Sequence, residues 1–222
     1  MKEGDFVTIE FTGRTKDNGE VFDTTNGESA ILAGVYNPKT NYGPVPMIIG
    51  ANQIIPGMED ALKDMQVGEK KTVEILPEKA FGERKSDLVT IVPMSTFKGS
   101  DVEPAPGRTI NFRGHEGRIV SVDGGRVRID FNHPLAGRTI EYDIEVKTEM
   151  KETQEKIQGI VRYFTGLKME DSTATVNGSE ASITIQADFP KQIKKNIADT
   201  AMKWIEGITK VSFLDVFEKE VN

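Results

Sequence analysis

Side chains able to do covalent or metal chemistry are scarce in this 222-residue chain. It has no cysteine and two histidines, His115 and His133, which excludes disulfides, zinc-thiolate sites and thiol nucleophiles and leaves too few imidazoles for a histidine metal cage. His115, in the Gly-flanked "RGHEG", reads as exposed loop. None of G-x-x-x-x-G-K-[ST], G-x-S-x-G or H-E-x-x-H occurs, so phosphate-loop, α/β-hydrolase and zincin readings have no footing. Carboxylates abound, but acid–base catalysis needs a pair held across a cleft, and no such pairing is visible. What stands out is apolar: Phe22 before Asp23, Ile54 and Ile55 before a helix, Ala80 and Phe81 before Gly82, and Leu135 before Ala136 and Gly137. Aromatic and aliphatic side chains at turns and strand ends either plug the protein's own core or line an apolar pocket.

The elements that carry these residues are marked by their periods. Over residues 5–13, Val7, Ile9 and Phe11 alternate with Thr8, Glu10 and Thr12, the signature of a half-buried strand. "KDNGEVFD" then turns at Asn18 and Gly19 into a second strand ending at Phe22 and Asp23. Residues 24–46 hold Gly, Pro, Asn and Tyr without a period and read as a long functional flap. Met58, Ala61, Leu62 and Met65 form a helical stripe, with Glu59, Asp60, Lys63 and Asp64 on the opposite face and Gln53–Pro56 as the loop leading in. Val73 and Ile75 predict a further strand, as do Ile140, Tyr142, Ile144 and Val146.

Residues 86–131 have strands of their own, with Val122–Gly125 as a tight hairpin signal, and read as a small β domain inserted into a loop of the first. "GGRVR" within it reads as the solvent face of a strand, not as a nucleic-acid patch. After about Met150 come a helical pattern carrying Gly159, two strands joined at Asn177 and Gly178, and a helix led by Pro190. That helix has Ile193, Ile197, Ala201, Trp204 and Ile205 in its stripe, and a final strand follows. An α/β module of this size is marginal alone, so it must pack on another module or on its own copy.

Hydrophobic content of 37% and charged content of 28% describe an ordinary globular chain. A formal charge of −7 argues against a general binder of nucleic acid or anionic membrane. "MKEGDFVTIEF" runs from charge straight into alternation without the apolar run of a secretion signal, and no stretch approaches the length of a membrane span. A soluble cytoplasmic protein is expected.

"VTIEFTGR…GEVFDTT", "MIIGANQIIPGMEDALKDMQVGEKKTVEILPEKAFGE" and "FNHPLAGRTIEYDIEV", in this order and spacing, resemble FKBP-type peptidyl-prolyl cis-trans isomerases, specifically the SlyD-like and long archaeal branch. The resemblance covers about the first 150 residues. It implies an α+β fold: a half-open antiparallel sheet over one short helix in residues 1–85 and 132–150, an insert-in-flap chaperone domain in 86–131, and an appended α/β module in 151–222 that suggests dimerisation. The family's pocket falls on Phe11, Phe22, Asp23, Ile54, Ile55, Met58, Ala80, Phe81, His133, Leu135 and Tyr142. Ile55 takes the place of the residue whose amide binds the substrate carbonyl, and Phe81 that of the aromatic that holds the proline. Met58 departs from the tryptophan often found at the pocket floor, Phe11 and Phe81 lack a hydroxyl found in many relatives, and the histidine-rich nickel-binding tail is missing.

The implied reaction needs no cofactor or metal. The amide barrier of about 18–20 kcal/mol comes from resonance, which separates charge between oxygen and nitrogen. Twisting removes that separation, so a dry aromatic site disfavours the planar ground state relative to the twisted one. The expected substrates are unfolded or nascent polypeptides containing proline. Val89, Ile91, Val92, Met94 and Phe97 of the insert are expected to hold such clients, and Trp204, Phe213 and Phe217 are candidate buried anchors of the C-terminal module. The rival reading is a holdase with a vestigial pocket.

Overall fold

The computed structural model of the chain describes residues 1–99, 103–185 and 187–215. Its contacts fall into two units, residues 1–75 with 139–222 and residues 76–138. The first unit begins with β1 (Phe6–Thr15), which turns at Gly19 into β2 (Val21–Thr24). Within residues 24–46, read from the sequence as irregular, stands a short helix, α1 (Gly27–Leu32). Its six residues are too few to show a period, but Asn26 caps it, accepting a hydrogen bond from Ser29 N–H at 2.8 Å. The segment ends in β3 (Val45–Ile48), which pairs with Phe6–Ile9 of β1.

The helix read from the Met58–Met65 stripe is α2 (Pro56–Lys63). Pro56 is its first residue and not the last of the loop, because a proline has no N–H to lose and its φ is already helical. Met58, Ala61, Leu62 and Met65 are buried as the stripe requires. Glu59 is buried as well, against expectation, since its carboxylate turns back to accept the Gly50 N–H. α2 lies close on β4 (Lys70–Ile75): a Cβ at Gly57 would stand 2.3 Å from Ile75 Cγ2.

Residues 76–138 build a second sheet from β5 (Val89–Pro93), β6 (Thr109–Phe112), β7 (His115–Asp123) and β8 (Arg126–Asp130), in the order β5-β8-β7-β6. β7 and β8 meet at Gly124 and Gly125, both at positive φ, as a two-residue hairpin turn demands. One face of this sheet is dry, with Ile119, Val127 and Ile129 fully buried beside Ile110, Val92 and Phe97.

The chain returns to the first unit with β9 (Ile140–Glu149), which lies between β1 and β4. The sheet order is β2-β1-β9-β4, with β3 on the same edge of β1 as β2, and every pair is antiparallel. There follow α3 (Thr153–Thr165), β10 (Ser172–Asn177), β11 (Glu180–Ile185), α4 (Lys191–Trp204) and β12 (Lys210–Leu214), the last three strands forming a sheet in the order β10-β11-β12. The core of this module does not stop at its own boundary. Ile157, Ile160, Val161, Ile183 and Ile197 belong to one buried cluster with Phe6 of β1 and Ile48 of β3. This explains why Phe6 and Val7 are both buried although strand neighbours point to opposite faces: β1 is covered on each side at that end. Gly159 allows the approach, since a Cβ there would meet Met150 Sδ at 3.0 Å and Pro46 Cβ at 3.3 Å. Trp204 and Phe213 pack against the same cluster, and Phe217 lies outside the described residues. Among the described residues no helix is long and apolar enough to cross a membrane.

Candidate functional site

In the first unit the sequence-predicted residues Phe11, Phe22, Asp23 and Tyr142 come together around β1. Gly13 pairs in register with Tyr142 of β9 on one side and Asp23 of β2 on the other. The Tyr142 ring lies edge-on to both phenylalanines, 5.6 Å from the Phe11 centroid and 5.6 Å from the Phe22 centroid, the arrangement that aromatic quadrupoles favour. Gly13 makes the cluster possible. A Cβ there would stand 2.6 Å from Tyr142 Cε1 and 2.9 Å from Phe22 Cζ. The Phe11 backbone is fixed by two threonines: its N–H donates to Thr25 Oγ1 at 2.9 Å, and its carbonyl accepts from Thr24 Oγ1 at 3.1 Å and Thr25 N–H at 3.0 Å.

Asp23 is the one carboxylate in this cluster. It keeps a face to solvent, yet surrounding protein strips enough water from it to push its pKa up, against the opposing hydrogen bond from Thr24 N–H. Burial, reinforced by the charge of Asp23, pushes the Tyr142 hydroxyl far above its usual range. Tyr142 therefore stays a neutral donor at any physiological pH.

The loop before α2 carries Ile54 and Ile55, both half-buried. It is pinned from several directions. Gln53 Oε1 accepts Ile48 N–H at 2.7 Å, Glu59 accepts Gly50 N–H, Gly4 N–H donates to the Ile49 carbonyl at 2.8 Å, and Asn52 takes φ 54°. Ile55 is the N-cap of α2, and its carbonyl accepts Met58 N–H at 3.0 Å. Its own N–H has no acceptor among the described residues. Met58, one turn on, is 2% exposed and packs in the buried stripe of the helix.

The remaining predicted residues belong to the second unit. Phe81 and His133 stack with centroids 4.4 Å apart and planes 3° from parallel. His133 Nδ1 accepts Leu135 N–H at 3.1 Å, which places the ring proton of neutral His133 on Nε2. Gly137 N–H donates to the Gly82 carbonyl at 2.8 Å, tying the two chain crossings together, and Ala80 ends a single 3-10 turn. Burial divides the five residues expected to hold clients, three of them on β5 and Met94 and Phe97 on the 3-10 turn that follows it. Val92 and Phe97 are buried in the unit's own core and Met94 packs on it, whereas Val89 is half-buried on the other face and Ile91 is 52% exposed.

A family model described as FKBP-type peptidyl-prolyl cis-trans isomerase matches residues 1–98, and one described as FKBP26, IF domain matches residues 90–135. A short-type peptidyl-prolyl cis-trans isomerase of Methanocaldococcus jannaschii is 37% identical over 147 residues, covering 66% of this chain and 92% of that protein. The chain belongs to the FKBP-type peptidyl-prolyl cis-trans isomerase family. It is accordingly an enzyme that acts on proline-containing polypeptides. Other relatives of this FKBP include a probable FKBP-type 16 kDa isomerase of Pseudomonas fluorescens, 33% identical over 63% of this chain and 85% of that protein. A SlyD isomerase of Helicobacter pylori is 35% identical over 51% of this chain and 63% of its own length. Sequence reasoning missed Gly13, whose partner Tyr142 lies on a strand distant in the chain, and Thr24 and Thr25, whose bonds to the Phe11 backbone follow from the exact register of the β1–β2 hairpin. Glu59 was missed because a carboxylate in a helix's first turn is ordinarily a solvated one.

Proposed function

We propose that Phe11, Phe22, Asp23, Ile54, Ile55 and Tyr142 hold the prolyl residue of an unfolded or nascent polypeptide, with Met58 supporting them from beneath. The observation that carries this reading is the Ile55 N–H, a donor without an acceptor among the described residues, in a loop pinned at Gln53, Gly50 and Glu59. A donor left open in that setting suits an incoming carbonyl oxygen. The aromatic cluster supplies the water-poor wall against which the twisted amide, with its reduced charge separation, is favoured over the planar one. No proton needs to move; Asp23 orients the Tyr142 hydroxyl and its neighbours. For Ala80, Phe81, His133 and Leu135 of the second unit a substrate role rests on the family resemblance alone, and Phe81→Ala tests it by itself.

In this reading residues 1–85 and 132–150 carry turnover, residues 86–131 capture clients through Val89 and Ile91 on a sheet held by Val92, Met94 and Phe97, and residues 151–222 brace the isomerase sheet through the core they share with Phe6 and Ile48. Dimerisation through the C-terminal module falls to its exposed Tyr163, Met202 and Leu214, which sedimentation of the triple serine variant tests. The absence of cysteine suits a reducing cytoplasm. The separating experiment is proline-limited refolding of a model protein set beside turnover of a short proline peptide. Tyr142→Ala is expected to abolish both. Deletion of residues 86–130 is expected to slow only the refolding reaction, and loss of peptide turnover on that deletion would show the roles are not separate.

A further inference from the structure

Charge is unevenly placed along this acidic chain. Residues 76–138 hold ten Lys and Arg against eight Asp and Glu, whereas the whole chain holds 28 against 35. The excess gathers on the face of the β5-β8-β7-β6 sheet opposite its dry core. The register sets Ile91 beside Arg128 and Arg128 beside Ser121, with Arg126 between Pro93 and Asp123, and Arg118 beside Asp130, in the neighbouring rows. A cavity of about 650 Å³ on this face is lined by Arg84, Lys85, Val89, Ile91, Val120 and Arg128. Ile91 is 52% and Val120 44% exposed. Arg84 is held by Asp130, with Nε 3.1 Å from its carboxylate. Lys85, Arg118, Arg126 and Arg128 have no carboxylate partner among the described residues.

Building on the client-capture reading above, we infer that this face selects unfolded segments in which acidic residues flank aliphatic ones. Three aliphatic side chains form the floor, and unpaired cations stand around it at the spacing of a few residues. An extended client that buries Leu, Ile or Val on Ile91, Val89 and Val120 brings its neighbouring carboxylates to Lys85 and Arg128. β5 is an edge strand of the sheet, so the client's backbone can pair with it as the side chains settle. Nucleic acid suits the face less well. A single strand needs aromatic platforms, and the aromatics Phe97, Phe112 and Phe131 pack on the opposite, buried side.

The test uses the full chain and three labelled, proline-free, unstructured peptides with the same aliphatic spacing, flanked by glutamate, serine or lysine, with affinity read by fluorescence anisotropy. At low salt the glutamate peptide is expected to bind on the order of tenfold more tightly than the lysine peptide, the worth of two or three exposed ion pairs, and the gap should narrow as salt rises. The double variant Lys85→Glu with Arg128→Glu should invert the order while retaining wild-type turnover of a short proline peptide, which shows it is folded. If Ile91→Ser weakens all three peptides alike and the double variant changes nothing, capture stands and charge selection is overturned. If neither variant alters any affinity, the capture reading has failed and this inference with it. A single-stranded oligonucleotide that displaces the glutamate peptide at equal concentration also overturns it.

Discussion

Replacing Gly13 by alanine probes the aromatic cluster without removing any of its members. The added Cβ would stand 2.6 Å from Tyr142 Cε1, 2.7 Å from Tyr142 Cζ and 2.9 Å from Phe22 Cζ. Carbon atoms settle at roughly 3.5–4.0 Å, so the Tyr142 ring must retreat by about 1 Å. It has no free space to enter, being 3% exposed and held edge-on by two phenyl rings. Overpacking of this kind costs about 1–3 kcal/mol. At about 2 kcal/mol the melting temperature of a chain this size falls by roughly 4–8 °C. A shift of about 1 Å in groups that shape a transition state costs up to about a hundredfold in rate, so kcat/KM for a short proline peptide should fall between tenfold and a hundredfold. The assay is peptide isomerisation well below the melting temperature, with Ile160→Ala as a control of matched instability. That side chain lies in the cluster shared with the C-terminal module, away from the aromatic rings. A Gly13→Ala variant that loses stability yet keeps turnover within twofold of wild type would refute the assignment of Tyr142 and Phe22 to the substrate.

The control carries its own prediction: because Ile160 is 2% exposed in a core that includes Phe6 and Ile48, its truncation should cost about 2–5 kcal/mol and lower one cooperative calorimetric transition of the first unit, whereas two separate transitions would deny the shared core. Glu59→Ala leaves the Gly50 N–H without its acceptor at a cost of about 1–3 kcal/mol, and is expected to speed hydrogen exchange across residues 49–55 and raise KM more than it lowers kcat. For Asp23 the folded-state pKa lies above the ordinary 3.8, so the folded state binds the proton more readily and stability falls as pH rises from that value through the folded pKa. Asp23→Asn should therefore gain in melting temperature relative to wild type at pH 7, with the gain disappearing below about pH 4, where both states of the wild-type chain are protonated; a gain that persists at acid pH would contradict the raised pKa.

The parts of the fold with a strong period were legible. Val7, Ile9, Ile144 and Val146 alternate because one face of each strand is dry, and the α2 stripe buries as its spacing requires. Phe6 carried no such signal, because its burial comes from a helix some 150 residues later in the chain. α1 was hidden by its length, although Asn26 was a readable cap. In the insert the hairpins were readable, and the alternation of Ile91 with Val92 already held the division between solvent-facing and core residues. The proposed pocket residues were named by motif, but what arranges them had no local signal. Gly13, Thr24, Thr25 and Glu59 act through strand registers and loop closures that no local pattern encodes.

The most direct measurement is magnetisation-exchange NMR on a proline tetrapeptide with catalytic amounts of the full chain. Faster cis–trans exchange, reduced at least tenfold by Tyr142→Ala in a variant that still melts cooperatively, is the expected result. Exchange at the uncatalysed rate with the wild-type chain, or exchange that Tyr142→Ala leaves untouched, would contradict the claim that the cluster around Gly13 houses the twisted amide.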